Sequence, residues 1–153
     1  MTRLRGLILS ILILGSFSAC KSSKNQSIPS SIELERTGCY GTCPIYTFTL
    51  DSEGKGSFQG ERFTEKLGSW KKEFSEVELR PLWELVDGLD WSQYNDEYPT
   101  NVSDLPATIL RVQMKKKYKQ IYIKGKHPEE LDDISAVLIK LAESPGWENL
   151  NTQ

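Results

Sequence analysis

The sequence is poor in the residues that most often carry metal sites and acid–base catalysis. Its 153 residues include three cysteines, one histidine and two methionines. No nucleophile–base–acid set, glycine-rich phosphate loop or paired-carboxylate arrangement is recognisable in it. We therefore do not favour an enzyme, and the sequence predicts no cofactor.

The chain also has no strong excess of charge of either sign. Its formal net charge is −2, so a nucleic acid has no general electrostatic reason to bind it. The one basic run, residues 115–117, is more typical of a solvated hairpin tip than of a phosphate site. Because 38% of the residues are hydrophobic, the chain can build one modest core.

No apolar run reaches the roughly 20 residues that a membrane-spanning helix needs. Residues 7–14 form a shorter apolar segment after two arginines, which is typical of an export signal. Residues 15–20 then resemble the lipobox of bacterial lipoproteins, with small residues before Cys20. We predict a lipoprotein signal peptide over residues 1–19. The alternative is an ordinary signal peptide with an incidental cysteine.

The lipobox resemblance implies a specific modification of Cys20. A diacylglyceryl group would be attached to its sulfur, the chain would be cleaved before it, and the new amino group would receive a further acyl chain such as palmitate. Several acyl chains on one residue give a stable membrane anchor. Residues 20–31 would then form a lipidated, serine-rich flexible tether. Residues 21–23 contain neither aspartate nor an acidic cluster, which favours the outer membrane, facing the periplasm.

The rest of the sequence predicts strands and two helices. Alternating or β-branched patterns typical of strands occur in six segments, residues 32–36, 45–50, 56–63, 67–73, 108–114 and 118–124. Ser75 and Glu78 match a helix capping box, while Pro81 predicts an irregular first turn or a later start. Pro128 favours the start of a second helix. We expect one α+β domain over residues 32–150, with the order β-β-β-β-α-β-β-α, an antiparallel sheet and both helices on one face.

The densest cluster of special residues is the segment 36–46, which reads R-T-G-C-Y-G-T-C-P-I-Y. Subtracting the lipidated Cys20 leaves Cys39 and Cys43 as one pair, and export would place them in an oxidising compartment. Two glycines in the segment allow the chain to curl enough to join them. A structural disulfide is the simplest interpretation.

Two other uses of the cysteine pair remain open. C-x-x-x-C-P with His127 downstream is similar to the copper-binding pattern of Sco-type chaperones, and two thiolates with an imidazole suit Cu(I). Those chaperones place the motif at the start of a helix, whereas residues 45–50 here read as a strand. A redox-active pair is the second alternative, because Arg36 could lower the pKa of a nearby thiol. Cys39, Cys43 and His127 are thus the candidate metal ligands.

The long segment between the first helix and the second hairpin is rich in aromatic residues. Trp91, Tyr94 and Tyr98 could line a groove for a peptide or a glycan. The alternative is that they cover the core beneath a long loop. Carboxylates in the same segment match no ordered calcium loop.

The cysteine motif, the glycine-bearing hairpin, the capped helix and the final P-x-x-L helix together resemble the domain-of-unknown-function family 6438. That family is common in lipoproteins and small exported proteins of Gram-negative bacteria. The resemblance covers residues 32–147. It implies the fold and an exported setting but no established activity, so it assigns no catalytic residue.

From these features we predict an envelope lipoprotein that acts as a non-catalytic binding or structural module anchored through Cys20. Its partner would be an envelope protein or a glycan, and the sequence leaves its oligomeric state open. The alternative is a periplasmic thiol redox or Cu(I)-binding protein that uses Cys39, Cys43 and His127.

Overall fold

A computed structural model of the chain describes residues 28–151. Within this range there are eight strands, two α-helices and a short 3-10 helix at Trp91–Gln93. The strands are β1 (Ser31–Arg36), β2 (Ile45–Asp51), β3 (Lys55–Arg62), β4 (Gly68–Glu73), β5 (Glu97–Tyr98), β6 (Thr108–Gln113), β7 (Tyr118–Ile123) and β8 (Glu148–Asn149). The helices are α1 (Glu76–Val86) and α2 (Glu129–Glu143). The six strands and two helices predicted from the sequence are all present.

The strands form one sheet in the order β5-β7-β6-β1-β2-β3-β4-β8, with β1 and β2 near its centre. Neighbouring strands are antiparallel except at one edge, where β5 pairs in parallel with β7. The prediction of a single α+β domain is confirmed, but the prediction of a wholly antiparallel sheet is wrong. β5 is only two residues long and is not part of a hairpin, so no alternating pattern marks its presence or its direction.

The alternation of apolar and polar residues places the core on one face of the sheet. Side chains at every second position are buried there, as at Ile32 in β1 and Phe48 in β2. The buried sides of α1 and α2 belong to the same core cluster, and the helices also contact each other. On the other face of the sheet, Arg111 forms ion pairs with Glu33 and Glu35. The hydrophobic effect thus stabilises the packing of the two helices against one face of the sheet.

Helix α1 begins at the predicted capping box. The Ser75 hydroxyl accepts a hydrogen bond from the Glu78 N–H at 3.4 Å, and the Glu78 carboxylate accepts one from the Ser75 N–H at 2.8 Å. The expectation of an irregular or later start is wrong, because the helix runs from Glu76 through Pro81. Pro81 has no N–H to donate to the carbonyl of Val77, but Val77 is exposed, so water can replace that donor.

Helix α2 begins directly after Pro128 and is followed by Gly146, whose φ of 88° turns the chain back toward the sheet. Its side toward the core is apolar, and the residues buried there include Leu131, Ile134, Leu138 and Leu141. Trp147 then packs edge-on against Phe48 and Phe74, with ring centroids 5.8 and 5.7 Å apart. This contact fixes the segment that leads into β8, which pairs with β4.

The folded part of the chain starts before residue 32, where the sequence placed the domain boundary. The N–H of Ser30 donates a hydrogen bond to the Gln113 carbonyl at 2.7 Å, and Pro29 is buried. Residues 29–31, assigned to the tether from their composition, therefore pack onto the domain. The predicted signal peptide and Cys20 lie outside the described residues. Neither helix between residues 28 and 151 has the length and apolar character needed to cross a membrane.

Candidate binding site

Four connections meet at one end of the sheet, where β1, β3 and β7 end and β2, β4 and β6 begin. They are the segment with the cysteine pair (residues 37–44), the β3–β4 loop (63–67), the loop before β6 (99–107) and the segment before α2 (124–128). We call this end of the molecule the motif end. Both cysteines of the domain and its single histidine lie there.

A disulfide between Cys39 and Cys43 closes a small loop between the two central strands. The Cα atoms of the two cysteines are 5.7 Å apart, and the Gly41 N–H donates a hydrogen bond to the Cys39 carbonyl at 2.9 Å. Tyr40 lies within this loop and is 91% exposed. Because the loop is covalently closed and tied to paired strands at its base, Tyr40 is presented to solvent from a restrained backbone.

The loop before β6 supports the disulfide loop from the side. The Thr37 N–H donates to the Ala107 carbonyl at 3.0 Å, and the Ala107 N–H donates to the Thr37 hydroxyl at 2.8 Å. Further along, the Tyr40 N–H donates to the Asp104 carbonyl at 3.4 Å. These bonds join two loops that are about 65 residues apart in sequence. The two loops therefore form one continuous surface.

That surface is partly apolar. Val102 and Leu105, on either side of Asp104, are both exposed. Together with Tyr40 they form what we call the motif surface. Exposed aromatic and aliphatic side chains held close together are typical of sites that contact another molecule.

A cleft of about 390 Å³ opens beside these loops, between the motif end of the sheet and α2. We call it the motif cleft. Its polar lining consists of Arg36, Thr108, Lys124, His127, Asp132 and Ser135. The volume is in the range that holds a small ligand. The cleft brings together residues from both halves of the domain.

Arg36 reaches the cleft from the core-facing side of β1, in step with Ile32 and Leu34. Its neighbours on the adjacent strands are Tyr46 and Thr108. None of the ion pairs within the described part of the chain involves Arg36. Placing a charge in a half-buried position is costly unless it is paired. Arg36 is therefore the residue of the cleft best suited to contact a ligand.

The positive charge of Arg36 also acts on Tyr46. Burial raises the pKa of Tyr46 to about 12; the charge of Arg36 opposes this rise, and Glu143 on α2 adds to it. The phenol is consequently protonated at neutral pH. It can donate a hydrogen bond at the motif end but cannot act there as a base.

The His127 ring is held by two acceptors. Its Nδ1 lies 2.6 Å from the Gly125 carbonyl oxygen, and its Nε2 lies 2.8 Å from Asp132 Oδ1. Burial lowers the pKa of His127, but the hydrogen bonds to Gly125 and Asp132 outweigh this effect, so the net pKa is raised. Both contacts are satisfied together only when both ring nitrogens are protonated. His127 thus favours its cationic form.

The three predicted metal ligands are not assembled. Cys39 and Cys43 are bonded to each other, and both ring nitrogens of His127 have other partners. Nowhere in residues 28–151 is there a group of three or more histidine, cysteine, aspartate or glutamate side chains placed to hold a metal ion.

The three predicted groove residues lie in the segment between α1 and β6. Trp91 is buried, and its ring centroid is 5.9 Å from that of Tyr94. Tyr98 packs instead against the His127 ring, at 6.1 Å, and so supports the wall of the motif cleft. Trp91 lines a separate cavity of about 440 Å³ together with Met114. All three pack on the core, as the alternative interpretation proposes.

From the sequence, Arg36 was expected only to lower the pKa of a nearby thiol, and its position in a cleft was not predicted. One signal was available, because the alternation of β1 places Arg36 on the same face as two buried residues. No comparable signal connects Arg36 with Lys124, His127 or Asp132. Those residues are about 90 positions away: the pairing of β1 with β6 and of β6 with β7 brings Lys124 to the cleft, and the packing of α2 brings Asp132 there.

The fold and this site define a class of α+β domain. Both helices cover one face of a single sheet, and a disulfide closes the connection between the two central strands, β1 and β2. Comparison with known families matches residues 30–142 to the family described as Domain of unknown function (DUF6438). The match covers most of the chain, and the protein belongs to that family. No protein with a curated description matches the chain.

Proposed function

We propose that this protein is a non-catalytic binding module of the bacterial cell envelope, exported and anchored to a membrane through a lipidated Cys20. The observation that carries the proposal is the position of Tyr40, almost fully exposed within a disulfide-closed loop. An apolar ring held in water by a restrained backbone contributes little to the stability of the domain itself. It is well suited to contact a partner.

The geometry lowers the cost of binding. Association is opposed by the conformational entropy that mobile loops and side chains lose when they become ordered. A disulfide-closed loop has less of this entropy to lose. Tyrosine adds a large contact area for only two side-chain torsions. The hydrogen bonds between Thr37 and Ala107 hold the neighbouring loop in register with the cysteine loop.

We propose a protein of the envelope as the partner, rather than a glycan. Besides Tyr40, the motif surface exposes the aliphatic side chains of Val102 and Leu105. Aliphatic side chains match the apolar core of a protein interface better than the hydroxyl-rich surface of a glycan.

The direction of the chain is compatible with this arrangement. β1 begins at the end of the sheet opposite the motif end, where Ser30 is hydrogen-bonded to Gln113. An anchor at Cys20 would therefore join the domain at the end away from Tyr40. The motif surface would then lie away from the point of attachment, and the flexible tether would leave it accessible to a periplasmic partner.

Site-specific photo-crosslinking tests the proposal in intact cells. A photoreactive phenylalanine analogue replaces Tyr40 in one variant and Tyr118 in a matched control. Tyr118 is also exposed but lies at the opposite end of the sheet. We expect a discrete protein adduct from position 40 and none of the same mass from position 118, because only position 40 lies on the motif surface.

Two results would contradict the proposal. One is the same set of adducts from both positions, which indicates random encounters with abundant neighbours. The other is an adduct from position 40 that glycosidases shift and proteases do not, which would identify a glycan. In a further variant, Leu105→Ser should weaken the adduct at position 40 if the motif surface binds as a unit.

The alternative function is a thiol redox or Cu(I)-binding protein using Cys39, Cys43 and His127. The two sulfurs are joined, and the His127 nitrogens are 2.6 and 2.8 Å from oxygen acceptors. Cu(I) binding would require reduction of the disulfide and release of a ring nitrogen. We therefore place this function second.

A further inference from the structure

The motif cleft carries more positive than negative charge. The residues that line it include Arg36, Lys124 and His127, against one acidic residue, Asp132. Asp132 is already paired with His127, and its side chain is mostly exposed. Arg36 and Lys124 are the charged residues of the lining that form no ion pair within residues 28–151, in a chain whose overall charge is negative.

Several hydrogen-bond donors of the residues that line the cleft are not fully used within the domain. Arg36 has no ion-pair partner in the described chain, and Lys124 uses one of its three protons on the Ser103 carbonyl at 3.0 Å. The hydroxyl of Thr108, directly across from Arg36 on β6, has no hydrogen-bond partner among residues 28–151. Arg36 and Thr108, which are paired across β1 and β6, and Lys124 after β7 thus line one cleft with donor capacity that residues 28–151 leave unused.

The walls between these donors are apolar. Ile123 at the end of β7 and Ile139 on α2 both line the cleft, and Ile123 is buried in the core. An ion that must keep its full hydration shell fits such walls poorly. An anion whose charge is at one end, with a hydrocarbon group at the other, can satisfy both kinds of surface.

We propose that the motif cleft binds a carboxylate that carries a short apolar group, with Arg36 as its principal contact. The planar guanidinium matches a carboxylate with two parallel N–H···O bonds. Lys124 and Thr108 complete the anion contacts, and Ile123 and Ile139 receive the hydrocarbon. This site is independent of the motif surface and of the partner proposed for Tyr40.

Such a carboxylate has two sources, a free organic acid or the C-terminal residue of a polypeptide. Their shared chemistry is tested on the full-length chain in detergent by NMR, with N-acetyl-valine as the model of a chain terminus and isovalerate as the free acid. We expect saturable shifts of the backbone amides of Arg36, Thr108 and Ser135. Stronger binding of N-acetyl-valine would indicate a terminus, and equal binding would indicate a free acid.

Three comparisons decide the proposal. N-acetyl-valinamide has the same shape without the charge and should not bind. Arg36→Gln should lower the affinity about tenfold or more, the usual loss for a charge-assisted hydrogen bond. Arg80→Gln removes the same charge from an exposed position on α1 outside the cleft and should leave the affinity unchanged.

The proposal is overturned if the amide binds as well as the acid, if Arg36→Gln binds as well as wild type, or if inorganic phosphate binds more tightly than both acids. Should Arg36→Gln fail to fold, Lys124→Gln and the comparison of acid with amide on the wild type decide in its place. Carboxylate binding without any adduct at position 40 would retain the cleft and reject the binding module. An adduct at position 40 without carboxylate binding would do the reverse.

Discussion

Gly60 allows the 63–67 loop to lie directly on the sheet. A Cβ atom built at this position would overlap the carbonyl oxygen of Lys66, which is backbone and cannot rotate away. Gly125 makes the same kind of close approach to the carbonyl of Pro99, next to His127. At each of these two positions, the absence of a side chain allows a loop of the motif end to pack closely against the backbone.

We expect Gly60→Ala to destabilise the domain by about 1–3 kcal/mol, because the added methyl group forces the 63–67 backbone off the sheet. Gly41→Ala is the matched control, since its Cβ would meet only the Cys39 sulfur, at 3.8 Å. Urea unfolding followed by tryptophan fluorescence measures both. Equal stability of the two variants would mean that the 63–67 loop can move without cost.

At the level of elements, local hydrogen bonds decide where α1 starts. Glu78 receives hydrogen bonds from the backbone and hydroxyl of Ser75 and from Lys72. These contacts, the Ser75 backbone foremost, lower the pKa of Glu78 from 4.5 to about 2. The carboxylate is therefore ionised in the folded state under conditions where it is protonated in the unfolded chain.

This shift predicts a pH-dependent contribution to stability. Because the folded pKa is depressed, the stabilisation is fully present above the unfolded pKa of about 4.5 and is lost as the pH falls toward about 2. Glu78→Gln should therefore be less stable than wild type at pH 6, by at most about 1 kcal/mol since the group is exposed. The two proteins should converge near pH 2.

Chemical denaturation across this pH range measures the difference. Glu76→Gln is the control, because it removes a carboxylate from the same turn without a contact to Ser75. A difference between wild type and Glu78→Gln that stays constant from pH 6 to pH 2 would show that the capping carboxylate is not the cause.

The disulfide loop is the second element whose local chemistry can be tested. Replacing both Cys39 and Cys43 with serine should lower the free energy of unfolding by about 1–3 kcal/mol, since the bond closes only a short loop. The fold should persist, because neither cysteine belongs to the buried core cluster. Thr42→Ala, an exposed change in the same loop, should have little effect.

Alkylation of the protein after acid quench of cells separates the two roles of the cysteine pair. A structural disulfide predicts no alkylatable thiol in residues 28–151. A redox centre predicts a reduced fraction in which one thiol reacts well below pH 8.5, the ordinary thiol pKa being about that value. Free and unreactive thiols in the exported protein would contradict both.

At the level of the whole molecule, the two ends of the sheet carry different features. The chain enters β1 at the end that also holds the β6–β7 hairpin, with its exposed lysines at residues 115–117. The motif surface and the motif cleft lie at the other end. The anchor that we propose would therefore be attached to the domain at the end opposite the motif end.

Cys20→Ala tests the anchor that we propose. The variant should lose the mass of its acyl chains, because the residue that would carry them is gone. The Cys39→Ser/Cys43→Ser variant should keep that mass. Acyl chains on Cys20→Ala equal to those on wild type, measured by mass spectrometry, would show that Cys20 is not the lipidated residue.

The elements of this fold could be predicted because each depends on neighbouring residues. Alternation in β1 follows from the two-residue period of a strand, and the start of α1 follows from the three-residue spacing of Ser75 and Glu78. The Cys39–Cys43 bond could be proposed from the expected export, the exclusion of Cys20 and the glycines of the segment, and its two residues are only four apart. In all three cases the interacting groups are close in sequence.

The parallel edge and the motif cleft could not be predicted in the same way. β5 has two residues, too few to show a period, and its pairing with β7 depends on how the preceding loop crosses the sheet. Arg36 lines one cleft with Lys124 because β1 pairs with β6 and β6 pairs with β7, and with Asp132 because α2 packs on the face of the sheet where β1 buries its apolar side chains. Strand order and the burial of a shared core thus bring together residues about 90 positions apart, and no local pattern of residues records this.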